Sequence, residues 1–335
     1  MMFSKKLTTA LLTAVLATGA VTTGQILNPA VNVQITLTLG TEELLSVPGL
    51  CVVERKDNYL VIRSKGPVVE WSLLAGATYT QGEVPPGQLT QVPLPHYKTF
   101  ILTVARPVLG KIGVIIGREN DGRLGYKAYV GGPFTTLQVP GLGFTEVVVQ
   151  GGNLYLHIHC DNPGVRPVEY SILSGADYYQ SEAGGWAKPE FAPADKYEPL
   201  PHYRTFIFVM ARYGRIGGMI ARENDGQVVA VVFPLGATFT RMAVPDLGSV
   251  VRDGDRLRIE CFNPGRKPVE YSILSGNTYH QSEAGGWAKP EFEPAVKYEP
   301  LPHYKTFIVV IARYDEMGIM IGRENDGQVG AIILP

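Results

Sequence analysis

The sequence predicts an all-β protein of three tandem antiparallel β-sandwich or jelly-roll-like domains, and three observations carry that expectation. A unit of about 100 residues recurs three times along the 335-residue chain. Within each unit, apolar runs of strand length are bounded by Gly, Pro and Asn-Asp-Gly turns. Apart from an apolar stretch near the N-terminus, no segment longer than a turn or two carries the helical period.

The recurrence rests on three signatures in fixed order. PVVEWSLLAG (67–76) returns as PVEYSILSG at 167–175 and 268–276. PLPHYKTF (93–100) returns at 199–206, with Arg for Lys, and at 300–307, and the block GRENDG (117–122) returns at 221–226, with Ala for the first Gly, and at 322–327. The copies are placed at 41–133, 134–236 and 237–335, preceded by a signal peptide at 1–25 and an extension strand at 26–40.

The signal reading comes from Lys5 and Lys6 ahead of an uncharged run (7–21) and a cluster of small residues. That run falls short of the roughly 20 residues needed to span a bilayer, so no membrane span is expected once the signal is removed. The extension alternates without a break over 31–39, with Val31, Val33, Ile35, Leu37 and Leu39 on one face. It repeats the strand that closes each copy, so the chain holds four strands of this class for three copies of everything else. Such a strand either completes the first domain or adds to a sheet edge of a neighbouring molecule.

In copy three the expected strands are 256–262, 269–274, 306–313, 317–322 and 328–334. Residues 256–261 alternate polar and apolar side chains, as a strand with one wet face does. Asn325-Asp326-Gly327 between two apolar runs reads as a hairpin turn. The 27 residues between Gly175 and Tyr203 exceed the usual length of a structureless loop, and they hold Tyr178, Tyr179, Trp186, Phe191 and Tyr197. Copies two and three share SEAGGWAKPEF here, which copy one lacks.

Three cysteines are present, Cys51, Cys160 and Cys261. Cys160 and Cys261 close apolar strand patterns and are expected to be buried. Cys51 is left as either a buried thiol or one half of a bond between chains.

Composition and motifs exclude several classes. With 30 basic and 31 acidic residues there is no surplus to neutralise phosphates, so nucleic acid is not an expected partner. No Gly-rich phosphate loop, His-Glu-x-x-His, Cys-x-x-Cys or Gly-x-Ser-x-Gly is present. No catalytic residue, cofactor or metal site is assigned, and the chain is not read as an enzyme. His157 and His159, with Cys160 and Asp161, form the one metal-like cluster. Copy three carries Arg258 and Glu260 at the same positions, so it is not a property of the repeat. His96, His202 and His303 recur in every copy and are read as structural, bonding a loop carbonyl or carboxylate. The Arg-Glu-Asn-Asp-Gly blocks have too few carboxylates for calcium and are read as turns.

Two functions follow. The first is an exported structural or assembly protein at the cell surface, a subunit of a fibre, coat or surface layer, whose partner is itself or another surface protein and whose assembly strand is 31–39. In layout it resembles bacterial surface-filament subunits, and no motif ties it to a family. The second is a multivalent ligand-binding protein or adhesin, for polysaccharide. There Tyr178, Tyr179, Trp186 and Phe191 of copy two and Tyr279, Trp287 and Phe292 of copy three would stack on sugar rings.

Overall fold

Alternation is plainest in the strand 153–160, where Leu156, Ile158 and Cys160 are fully buried and His157 and His159 face outward. The computed structural model describes residues 43–161, 163, 167–184, 194–264, 267–285 and 295–335. The signal and extension strand expected at 1–40, and Trp186, Phe191, Trp287 and Phe292, lie outside the described residues.

Copy one contributes β1 (Glu43–Val47), β2 (Cys51–Lys56), β3 (Tyr59–Ser64), β4 (Val69–Ala75), β5 (Thr78–Val84), β6 (Leu89–Pro93), β7 (Thr99–Arg106), β8 (Lys111–Asn120) and β9 (Arg123–Pro133). Copy two repeats the series as β10 (Thr136–Val139), β11 (Gly143–Gln150), β12 (Asn153–Cys160), β13 (Val168–Ser174), β14 (Asp177–Ala183), β15 (Asp195–Pro199), β16 (Thr205–Arg212), β17 (Arg215–Asn224) and β18 (Gln227–Val232). A short β19 (Ala237–Thr238) then leads into β20 (Arg241–Val244), β21 (Gly248–Asp253), β22 (Arg256–Cys261), β23 (Val269–Ser275), β24 (Thr278–Ala284), β25 (Val296–Pro300), β26 (Thr306–Arg313), β27 (Glu316–Asn325) and β28 (Gln328–Leu334). The all-β class is observed, with several antiparallel sheets and no α-helix among the described residues.

Each copy makes a four-stranded sheet, in the orders β1-β2-β3-β6, β10-β11-β12-β15 and β20-β21-β22-β25. Its other five strands lie beneath, and the two layers enclose one core per copy. Leu45, Ile62, Phe100 and Ile115 belong to the first, Leu156, Phe206 and Met219 to the second, and Leu257, Phe307 and Met320 to the third. The long segment expected as a loop after Gly175 supplies two of these strands, β14 and β15. Their polar composition hid them, because both are sheet edges with mostly exposed or half-buried side chains.

A fourth core is shared by all three copies: Leu74 and Ile101, Leu173 and Ile207, and Leu274 and Ile308 occupy equivalent places in it. Strands β7, β16 and β26 are therefore covered on both faces, which is why they read as continuous apolar runs rather than alternating ones. The copies also join through strands. β18 pairs β9 at Val229–Pro133 and Ala230–Gly132, making one ten-stranded sheet of copies one and two. β28 pairs β19, the exit from copy two, at Ala331–Ala237 and Gly330–Thr238. The copies are thus one continuous structure rather than units on a string.

The Asn-Asp-Gly turns close β8–β9, β17–β18 and β27–β28. Asp121, Asp225 and Asp326 have φ of 49°, 51° and 48°, and the glycines that follow are also positive, so each is a two-residue turn of the type that matches strand twist.

All three thiols are free and buried. Cys51 pairs with Ser64 across β2 and β3, whereas Cys160 and Cys261 stand on the later strand opposite Gly143 and Gly248. One interior position is therefore filled from either strand. Burial pushes the Cys51 thiol up to about 12 against a small opposing pull from Lys65. A bond between chains through Cys51 is inconsistent with this burial. A thiol-specific reagent should label none of the three cysteines in the native protein and all three in denaturant, which mass spectrometry of the intact chain reads directly.

Candidate functional site

The three recurrent signatures meet in space. Glu119, buried at the end of β8, accepts the Gly122 N–H on Oε1 at 2.6 Å and the Tyr97 N–H on Oε2 at 3.3 Å, and His96 Nδ1 bonds the same carboxylate. Glu223 does the same for Gly226, Tyr203 and His202, and Glu324 for Gly327, Tyr304 and His303. The recurrent histidines thus bond a carboxylate, as their place in the sequence suggested. Tyr97, Tyr203 and Tyr304 donate their hydroxyls to Asp121, Asp225 and Asp326 at 2.9, 3.0 and 3.2 Å. These tyrosines have φ near +55° and are 42%, 44% and 50% exposed. A bulky residue in the left-handed region is held there by the two bonds its backbone and hydroxyl make.

The arginine of each block crosses to another copy. Arg222 Nε donates to Glu70 at 2.7 Å, and Asn224 bonds the same carboxylate. Arg323 reaches Glu169 through Nε and Nη2 at 3.0 and 2.7 Å, and Arg118 reaches Glu270 at 3.0 and 2.8 Å. Hydroxyl pairs lie beside them: Ser72 with Thr205, Ser171 with Thr306, and Ser272 with Thr99, at 2.6–2.7 Å. The backbone N–H groups of Thr205, Thr306 and Thr99 donate to the hydroxyls of Tyr79, Tyr178 and Tyr279. Copy one thus binds copy two, copy two binds copy three, and copy three binds copy one, so the contacts close into a ring. Each of these tyrosine rings also lies against a glycine at the β4–β5 turn or its equivalent. Gly175 meets Tyr79, Gly276 meets Tyr178 and Gly76 meets Tyr279, with φ of 58–61° at the glycines. The final Gly of PVEYSILSG is thus required by both the turn and the neighbour.

Burial pushes the Glu169 and Glu270 carboxyls above their ordinary range, and the facing arginines recover only part of that rise. At the seam between copies three and one, Lys267 also bonds Asn120 at 2.9 Å and Asp121. That bond is the main cause holding Asp121 below the usual carboxylate range.

These contacts reassign two predicted ligand residues. Tyr178 and Tyr279, expected to stack on sugar, spend their hydroxyls on the seams and pack against the shared core. Tyr179 remains 48% exposed, with its hydroxyl on Glu198 at 3.2 Å. The seam role of the Arg-Glu-Asn-Asp-Gly and Pro-Val-Glu-Tyr blocks was missed by sequence reasoning. The signal for it is a charge set inside an apolar run in every copy, Glu70, Glu169 and Glu270 against Arg118, Arg222 and Arg323, because a buried charge needs a partner.

A second cluster belongs to copy two alone. Three neighbouring strands place six side chains on one face: Phe144 and Glu146 from β11, His159 and His157 from β12, and Asp195 and Tyr197 from β15. Asp195 Oδ1 lies 2.8 Å from His157 Nε2 and 2.7 Å from His159 Nδ1, while His157 Nδ1 lies 3.0 Å from Glu146 Oε1. Tyr197 stacks on His157 at 4.7 Å, and Phe144 stacks on His159 at 4.9 Å. Burial lowers the His157 pKa, and the bonds to Asp195 and Glu146 outweigh it, so the net direction is up; Asp195 is held down by His159 and His157. Of the partners named from sequence, Cys160 points into the core of copy two, and the carboxylate beside the two imidazoles comes from Asp195 rather than Asp161.

No family model matches the chain, and no curated protein matches it. Among solved structures it is similar to a chain from a study of host cell surface retention of a 1.5-MDa bacterial ice-binding adhesin, at 7% identity and a TM-score of 0.14, over 85% of this chain and 90% of that one. A likeness of that extent carries no argument about fold or role.

Proposed function

We propose that the protein is an exported, non-catalytic binding protein of the cell exterior, each copy a β-sandwich that presents one of three like recognition faces for a polyhydroxylated ligand such as polysaccharide. The observation that carries this reading is the exposed Tyr97, Tyr203 and Tyr304, each held at positive φ beside a histidine and an aspartate in every copy. Backbone strain retained three times at an exposed site supports a role in recognition. A polar cleft lies next to the first of them, lined by Tyr97, Asp121, Lys267, Gln281, Glu283 and Lys297. Hydroxyl, amide and charged groups beside an aromatic ring suit a sugar, and three linked faces multiply a weak single-site affinity.

Retention of the mature protein on cellulose, chitin and peptidoglycan tests the reading. Tyr97→Ala alone should weaken retention on the polymer that binds, and the triple variant with Tyr203→Ala and Tyr304→Ala should abolish it. Retention of the triple variant at the wild-type level, or no retention on any of the three polymers, would overturn it.

A further inference from the structure

We infer that His157, His159 and Asp195 form a binding site for one divalent transition-metal ion of the zinc class, with Glu146 holding His157 in place. The three ligand atoms lie within 4.8 Å of one another on an accessible strand face. Zinc bonds imidazole nitrogen at about 2.0–2.1 Å and carboxylate oxygen at about 2.0–2.2 Å, which sets neighbouring ligand atoms of a tetrahedron roughly 3.3 Å apart. The present separations of 2.7 and 2.8 Å reach that by small side-chain rotations.

The donor count also points to a cation. His157 presents both ring nitrogens to carboxylates, Nε2 to Asp195 and Nδ1 to Glu146, and His159 presents Nδ1 to the same Asp195 oxygen. A neutral imidazole has one N–H, so one contact of His157 sets a lone pair against an anion. An ion between Nε2, Nδ1 of His159 and Asp195 resolves this: lone pairs and the carboxylate face the cation, and His157 Nδ1–H donates to Glu146. A ligand histidine whose far nitrogen bonds a carboxylate is the usual arrangement around zinc. Tyr197 and Phe144, stacked on the two rings, fix their planes.

The other copies serve as internal controls. Copy three has Arg258, Glu260 and Val296 at these positions, and Arg258 bonds Glu260 at 3.2 Å. Copy one has Val61, Arg63 and Leu89, and Arg63 makes a loose, half-exposed ion pair with Glu54 at 3.6 Å. At the three positions copy three keeps one Lewis base, Glu260, and copy one keeps none, where copy two has three. Imidazole selects zinc, copper or nickel over magnesium and calcium, and three protein ligands leave a position open to solvent.

Isothermal titration of the full chain, free of any histidine tag, with zinc chloride tests the site, with magnesium and calcium chloride as controls. Saturable binding of one zinc ion per chain is expected, with none for the two controls. His157→Ala with His159→Ala should abolish it, Glu146→Gln should weaken it by about 10-fold or more, and His202→Ala should leave it unchanged. Absence of saturable zinc binding, calcium binding as tight as zinc, or zinc binding that survives the double variant would overturn the inference. Should the double variant fail to fold, cobalt titration of the wild type followed by NMR decides. Broadening of the His157 and His159 ring signals ahead of His96, His202 and His303 supports the site, and broadening only elsewhere overturns it. None of these outcomes depends on polysaccharide retention.

Discussion

Arg222→Ala is expected to cost about 3 kcal/mol of stability, because it leaves Glu70 buried at the seam with one charged partner fewer. Glu70 is 1% exposed, and the remaining bonds, from Arg106 at 3.1 Å and from Asn224, do not replace the guanidinium. Arg222→Lys should recover little, since an ammonium cannot reproduce the planar donor group. Glu70→Gln combined with Arg222→Met should recover most of the loss, because no charge of that pair is then left buried. The midpoint of urea unfolding for the three variants checks the sequence of effects. A single variant within 1 kcal/mol of wild type would show that the ion pair does not hold copies one and two together.

Gly131→Val should be at least as damaging, at about 3 kcal/mol or more. A Cβ at Gly131 would stand 2.0 Å from the Ala230 carbonyl oxygen and 2.9 Å from Ile112 Cγ2. The first obstacle is backbone, so β9 must separate from β18 and give up the pairings of Pro133 and Gly132. The adjacent Gly132 is the control: its Cβ would meet nothing nearer than 3.7 Å, and Gly132→Ala is expected to change stability by no more than about 0.5 kcal/mol. Equal losses in the two variants, read from denaturant unfolding, would mean that the tight approach at Gly131 is not what closes the ten-stranded sheet.

The sequence carried the strands well wherever local pattern decides them. The Asn-Asp-Gly turns and the apolar runs 306–313 and 328–334 fall where the period and the turn chemistry place them. Strands β14 and β15 were illegible because edge strands keep polar side chains and lack the alternation of a buried face. The ring was illegible for a different reason. Glu70 and Arg222 are 152 residues apart in sequence, and nothing local says which buried charge meets which. Of the copy-two cluster, β12 alternation disclosed the two imidazoles, but Asp195 and Glu146 come from neighbouring strands whose register the sequence does not state.

At each seam the glutamate face of one copy meets the arginine face of the next, a head-to-tail arrangement that closes after three members. Three separate chains of one copy each would close in the same way, but they would be identical by necessity. A single covalent chain releases that constraint: β12 of copy two carries His157 and His159 while β22 of copy three carries Arg258 and Glu260, and the framework around them stays the same. A feature placed in one copy therefore occurs once per particle, at a fixed position relative to three repeated faces, which gives a near-symmetric body a unique side and hence a direction.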